Sequence, residues 1–160
     1  MFYEMRRKRQ LLTSGECEDI LNKGTSGVLA LYGSNGYPYA VPLSYVYSDG
    51  WIYFHSAITG HKIDAIKFCP KASFCVTGSD NVVPGEYTTY FSSVIVFGGI
   101  HILDNKEEKM EAIKKLAVKY AASTSEKDML SVINKEWEHF CITGLLIEHM
   151  SGKKAKELIK

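Results

Sequence analysis

The chain is sparing with the residues that build secreted, membrane or metal-binding proteins. It has four cysteines in 160 residues, Cys17, Cys69, Cys75 and Cys141. None forms a Cys-x-x-Cys pair and none has histidines at zinc spacing, so a thiolate metal site is not expected. Four scattered thiols suit a reducing cytoplasm better than a disulfide framework. No apolar run approaches the length of a bilayer span. The basic start, residues 1–9, is not followed by the apolar core of a secretory signal. The expectation is a cytoplasmic chain. Charge of a single sign is also missing. Lys and Arg total 19 against 18 Asp and Glu, a net charge of +1 with His neutral, so bulk electrostatics point to neither nucleic acid nor anionic membrane. A Gly-rich dinucleotide fingerprint is absent, which excludes a dedicated nicotinamide domain of that type. No repeat, low-complexity tract or linker divides the sequence, so residues 1–160 are expected to form one domain.

What is present is a succession of short elements. Thr13 and Glu16 make a capping-box pattern opening a short helix, with Gly24 as its stop. Residues 28–32 read as a strand. Ser34, Asn35 and Gly36 then form a hairpin turn, since Asn-Gly tolerates positive φ. Residues 37–47 read as one long strand whose odd positions share a face. A turn at residues 48–50 leads to a strand over 51–56, so the three strands are expected to form a meander. Thr59 is placed to cap a short helix over 59–68, which Pro70 ends. A strand over 72–77, a polar loop over 78–86 and a long strand over 87–103 follow. Gly98 and Gly99 suggest a bulge inside the last of these. Asp104 and Glu107 form a second capping-box pattern. Met110, Ile113, Leu116, Ala117 and Tyr120 then make an amphipathic stripe. A helix over 125–137, a final strand over 141–149 and a solvated lysine-rich tail from Lys153 complete the reading. About six antiparallel strands with Gly corners imply a mainly β fold, a closed or partly open barrel with helices packed outside. A parallel α/β sheet is the poorer reading, because hairpin turns join the first three strands.

Three stretches carry candidate chemistry. Residues 54–62 leave a strand, turn through small residues and open a helix. Backbone donors at a helix start, a Ser or Thr hydroxyl and the cations His61 and Lys62 favour a phosphate. Gly60 allows close backbone approach. The competing reading is a capped surface helix with a solvated lysine. In residues 39–44, Pro42 cannot donate to a sheet ladder, so it implies an edge, a bulge or a barrel gap. Backbone groups freed beside it would suit the polar rim of a planar ligand, or would simply belong to an edge strand. Ser92 and Ser93, in an apolar strand, need partners, either a ligand or neighbouring backbone.

These stretches together resemble the FMN-binding split β-barrel superfamily related to pyridoxamine 5′-phosphate oxidase, and within it the Nim-type, 5-nitroimidazole resistance-related branch. The resemblance rests on residues 5–8, 36–43, 52–57, 60–62 and 92–98, in order and at similar spacing. It implies a split β-barrel homodimer with FMN at the subunit interface. Val41, Pro42, Leu43 and Ser44 would line the isoalloxazine, with His55 and Ser56 near its pyrimidine side or ribityl chain. His61 and Lys62 would hold the phosphate, and Ser93 would reach the flavin from the long strand. The resemblance also implies that the dimer partner completes the pocket; Trp137, His139 or Phe140 are the candidates for this, in a region that matches no motif of the family. His55 is the candidate proton donor or substrate contact, as imidazole titrates near neutral pH; the alternative is a flavin-orienting or structural histidine. The implied chemistry is reduction of a small acceptor, a nitroaromatic or quinone, with NAD(P)H or another donor. A non-catalytic flavin-binding module and a haem-handling split barrel are the other classes. Pyridoxamine phosphate oxidation itself fits less well, since that enzyme's C-terminal half carries an arginine clamp and every arginine here (Arg6, Arg7, Arg9) lies near the start. Within the resemblance, the run over residues 6–9 reads as a surface arm or dimer contact rather than a nucleic-acid site.

Overall fold

The computed structural model describes residues 2–159. The capping box opens α1 (Ser14–Lys23) as expected. The Thr13 hydroxyl accepts from the Glu16 amide at 3.2 Å, and the Glu16 carboxylate accepts from the Thr13 amide at 2.7 Å. Strands β1 (Ser26–Tyr32), β2 (Pro38–Ser44), β3 (Val46–Ser48) and β4 (Trp51–Ala57) precede helix α2 (His61–Phe68). Then come β5 (Lys71–Val83), β6 (Thr88–Ile102), α3 (Lys106–Tyr120), α4 (Glu126–Glu136) and β7 (Phe140–Lys154). All pairings are antiparallel, in the order β2-β1-β5-β6-β7-β4-β3.

That order corrects the expected meander. The stretch 37–47 divides at Tyr45. β2 pairs with β1, while β3 pairs with β4 at the opposite edge of the sheet. Tyr45 causes the break. Its ring is fully buried, its hydroxyl donates to the Leu21 carbonyl at 2.7 Å, and its amide donates to the Tyr120 hydroxyl at 2.9 Å. The backbone there serves α1 and α3 rather than a ladder. Two strands one residue apart at opposite edges oblige the sheet to curl, although it does not close. Leu29, Tyr45, Phe54, Phe74, Val94 and Leu145, drawn from the β1, β4, β5, β6 and β7 strands and the break, accordingly form one buried cluster inside the curl.

A second core covers the other face of β4 and β7, where Ile142 and Phe140 meet Leu116 of α3 and Ile133 of α4. β4 is thus sandwiched. Ile52, Phe54 and Ser56 are buried, while Trp51, Tyr53 and His55 alternate to the other face.

Several boundaries shift for physical reasons. Gly60, not Thr59, caps α2, at φ 124°, a value that favours glycine. Asn105, not Asp104, caps α3, accepting from the Glu107 and Glu108 amides at 2.9 and 3.1 Å. The polar stretch 78–83 is strand, because β6 pairs with it through Val83↔Thr88, with a bulge at Gly78. The expected bulge falls between Phe97 and Gly98. β7 runs on to Lys154, so the tail is not free at Lys153. The Lys154 ammonium meets Glu16 at 2.9 Å, and Lys153 lies over the Phe91 ring.

Glu16 therefore closes the cap of α1 and pins it to β7. The Thr13 amide first, and Lys154 next, hold its carboxyl down at about 2 against an ordinary 4.5. A depressed carboxyl stabilises the fold fully above its unfolded value and loses that contribution as pH falls through the folded one. Denaturant midpoints should fall between pH 4.5 and 2 in the parent, and Glu16→Gln should flatten that part of the profile. An unaltered profile would mean that these contacts do not hold in solution.

Candidate functional site

The site begins where β4 runs out. His55 and Ser56 leave the strand on opposite faces. Ser56 is buried, and its hydroxyl has no hydrogen-bond partner among the described residues. His55 faces the α3 and α4 side, with its ring 5.0 Å from that of Phe140. Partial burial first, and the charges of Lys62 and Lys109 next, push its pKa below the ordinary value, so the imidazole is mainly neutral at pH 7.

The chain then turns through Ile58, Thr59 and Gly60 into α2. At Gly60 nothing lies within 4 Å of where a Cβ would stand, so the start of the helix is open. Lys62 is half-buried, and its pKa is lowered by desolvation. No carboxylate among the described residues forms an ion pair with it. A partly desolvated cation beside free helix-start amides has the donors and charge of an anion seat without the anion's counterpart from the protein. The corner therefore fits a phosphate. The Cys141 thiol nearby donates to the Ala57 carbonyl at 3.2 Å, and burial pushes its pKa up. That makes it a packing group rather than a thiolate.

The other expected residues divide between two places. Val41 and Leu43 turn half-buried toward the core, while Pro42 and Ser44 are exposed on edge strand β2. Leu43, Ser44 and His55 come together in a cleft of about 440 Å³ closed by α3 and α4. His61 stacks on Tyr39 of β2, with centroids 4.0 Å apart, and so ties α2 to that edge. Ser93 is not part of this assembly within one chain. It lies in β6 between Thr77 and Lys153.

The helical wall of the cleft escaped the sequence reading. Ile113, Ala117 and Tyr120 belong to the stripe read as ordinary packing. α4 adds Met129 and Val132. Lys109 anchors that wall. Its ammonium donates to the Trp137 and Phe140 carbonyls at 2.8 and 2.9 Å and lies over both rings. The only available signal was Lys109 followed by aromatics some thirty residues on (Trp137 and Phe140), which no periodicity connects.

An antiparallel split barrel with an anion-fitting corner beside an apolar cleft defines a class of ligand-binding fold. The family described as pyridoxamine 5′-phosphate oxidase matches residues 13–154, and the chain belongs to that family. No curated protein matches it. Among solved structures, an FAD-binding protein from Mesorhizobium loti is 28% identical, with a TM-score of 0.62, covering 92% of this chain and 96% of that one. A Bacteroides thetaiotaomicron protein proposed to confer 5-nitroimidazole antibiotic resistance is 18% identical, with a TM-score of 0.77, covering 90% and 86%. The haem storage protein HutZ of Vibrio cholerae is 12% identical, with a TM-score of 0.63, covering 88% and 94%. The last two likenesses concern the fold. No helix among the described residues is long and apolar enough to cross a membrane, and no group of potential metal ligands is found among them.

Proposed function

We propose that the protein is a cytoplasmic, FMN-binding homodimer that reduces a small acceptor such as a nitroaromatic (nitroimidazole) or a quinone. The observation that carries this reading is the β4–α2 corner, where Lys62 is partly desolvated and has no carboxylate partner among the described residues. A phosphate-bearing cofactor supplies the missing charge. Membership of the family and the FAD-binding relative at 28% identity support a flavin there. The bound flavin would accept a hydride from a reduced nicotinamide or another donor and pass two electrons to the acceptor.

The chain's own residues do the positioning. Lys62, His61 and the open helix start hold the phosphate, and Ser56 precedes the same turn in β4 with its hydroxyl buried. Edge strand β2 presents the backbone of Val41, Pro42, Leu43 and Ser44 to the isoalloxazine rim. A second subunit would bring Ser93 and the outward sheet face into use. Val28, Ile95 and Phe97 are exposed there, 42%, 39% and 37% respectively, an apolar surface suited to a dimer contact.

The visible spectrum of the purified protein, with extraction of its chromophore, tests the reading. Isoalloxazine absorption and extracted FMN are expected. A colourless protein that refuses added FMN would overturn it. A Soret band would move the protein to the haem-handling class, and bound flavin without turnover would leave a non-catalytic flavin module.

His55 is assigned the acceptor side. In its imidazolium form His55 can donate a proton to a reduced acceptor, and in its neutral form it can hold the acceptor by a hydrogen bond. His55→Gln is expected to retain flavin but slow acceptor turnover by about a hundredfold or more, the usual weight of a positioned proton donor. Equal turnover numbers in the two proteins would make the histidine structural.

A further inference from the structure

The cleft between α3 and α4 has a chemical character that the phosphate corner lacks. Its floor is Leu116 and Ile133, both 6% exposed. Ala117, Met129 and Val132 form its sides, and Val132 stands 61% exposed on the wall. Among the described residues no Asp, Glu, Lys or Arg lines it. The Tyr120 hydroxyl at its edge is already engaged, accepting from the Tyr45 amide and donating to a neighbouring carbonyl. His55 is therefore the principal free hydrogen-bonding group among the described residues of the lining, which also include Ser44 and Thr124. The volume, about 440 Å³, falls in the range of small-molecule sites.

We infer that this cleft binds an uncharged, largely hydrocarbon small molecule with a carbonyl or similar acceptor at His55, of the quinone class. Among the described residues that line the wall an anion finds no cation and a cation no carboxylate, the Lys62 and Lys109 charges that act on His55 standing outside the lining. Over the apolar wall either would lose hydration without compensation. A neutral ring system instead covers the exposed apolar wall and leaves one polar atom for the imidazole, which both donates and accepts when neutral. As the acceptor class of the proposed flavoprotein, this inference rests on that reading; as a binding site for a neutral ligand, it stands without it.

The test is calorimetric titration of the flavin-free protein with 2,3-dimethyl-1,4-naphthoquinone and with its ring-sulfonated analogue, alongside FMN titration. Ala117→Phe fills the cleft, and Val132→Lys places a charge on its exposed wall. The neutral probe should bind the parent at least tenfold more tightly than the sulfonate. Both variants should weaken it at least tenfold, with FMN affinity unchanged within twofold. Should Ala117→Phe fail to fold, Val132→Lys decides alone. Equal binding of the two probes, or affinity indifferent to the variants, would overturn the inference. So would a parallel loss of FMN affinity in Ala117→Phe, which would put the flavin itself in the cleft. A parent that binds the naphthoquinone but refuses FMN would sink the flavoprotein reading and leave this site standing.

Discussion

Lys62→Met is expected to weaken FMN binding by between about tenfold and a hundredfold, the value of a charge-assisted hydrogen bond, about 1.5–3 kcal/mol. The expectation has a second half that separates function from structure. In the flavin-free protein the ammonium is partly desolvated and forms no ion pair with any described carboxylate. It thus costs folding energy that only a bound anion offsets. Methionine keeps the apolar stem and removes that cost. The apo variant should melt at or above the parent's temperature, while the flavin-loaded variant gains less stabilisation from added FMN than the parent does. Fluorescence titration and thermal melts with and without FMN check both halves. Unchanged FMN affinity together with a lower apo melting temperature would make Lys62 a structural residue and remove the main support for the phosphate corner.

The largest loss of stability from a single methyl group is expected at Gly98. There the two longest strands, β6 and β7, slip register. A Cβ on Gly98 would run into the Leu146 carbonyl oxygen, which is backbone and held by the ladder. Relief requires moving a central strand. Gly98→Ala should cost about 2–3 kcal/mol, as overpacking of a rigid site does, and lower the melting temperature by about 5–10 °C for a domain of this size. Gly99 is the internal control. Its Cβ would meet nothing nearer than Glu148 Oε1 at 3.7 Å. Gly99→Ala should stay within about 0.5 kcal/mol of the parent. Similar melting temperatures for the two variants would show that the bulge yields where the structure holds it rigid.

Much of the fold was legible because its signals are local. The Thr13–Glu16 box, the Asn35-Gly36 turn and the Gly98 bulge each specify their own backbone through nearby atoms. Apart from one-residue shifts at the caps of α2 and α3, the mistakes share one origin. Residues 37–47 alternate as one strand, and nothing within them says that Tyr45 will be claimed by α1 and α3. Gly78 to Val83 have loop composition and become strand because β6 supplies the partner. Lys153 and Lys154 look like a solvated tail until Glu16, far back in the chain, fixes one of them.

The site divides in the same way. The sequence alone determined the residue types at the β4–α2 corner, the capping box of α1 and the Asn35-Gly36 turn, the absence of thiolate metal spacing and the mainly β class, since each depends on short-range pattern. Only the tertiary structure decided that β2 and β3 lie at opposite edges, that Lys62 is half-buried without a carboxylate partner among the described residues and that Ser56 turns inward while His55 faces out. It alone also brought α3 and α4 over Leu43, Ser44 and His55 to make an uncharged cleft. The reason is physical. Local pattern governs backbone conformation over a few residues. Desolvation, charge pairing and cavity shape depend on groups brought together across most of the chain.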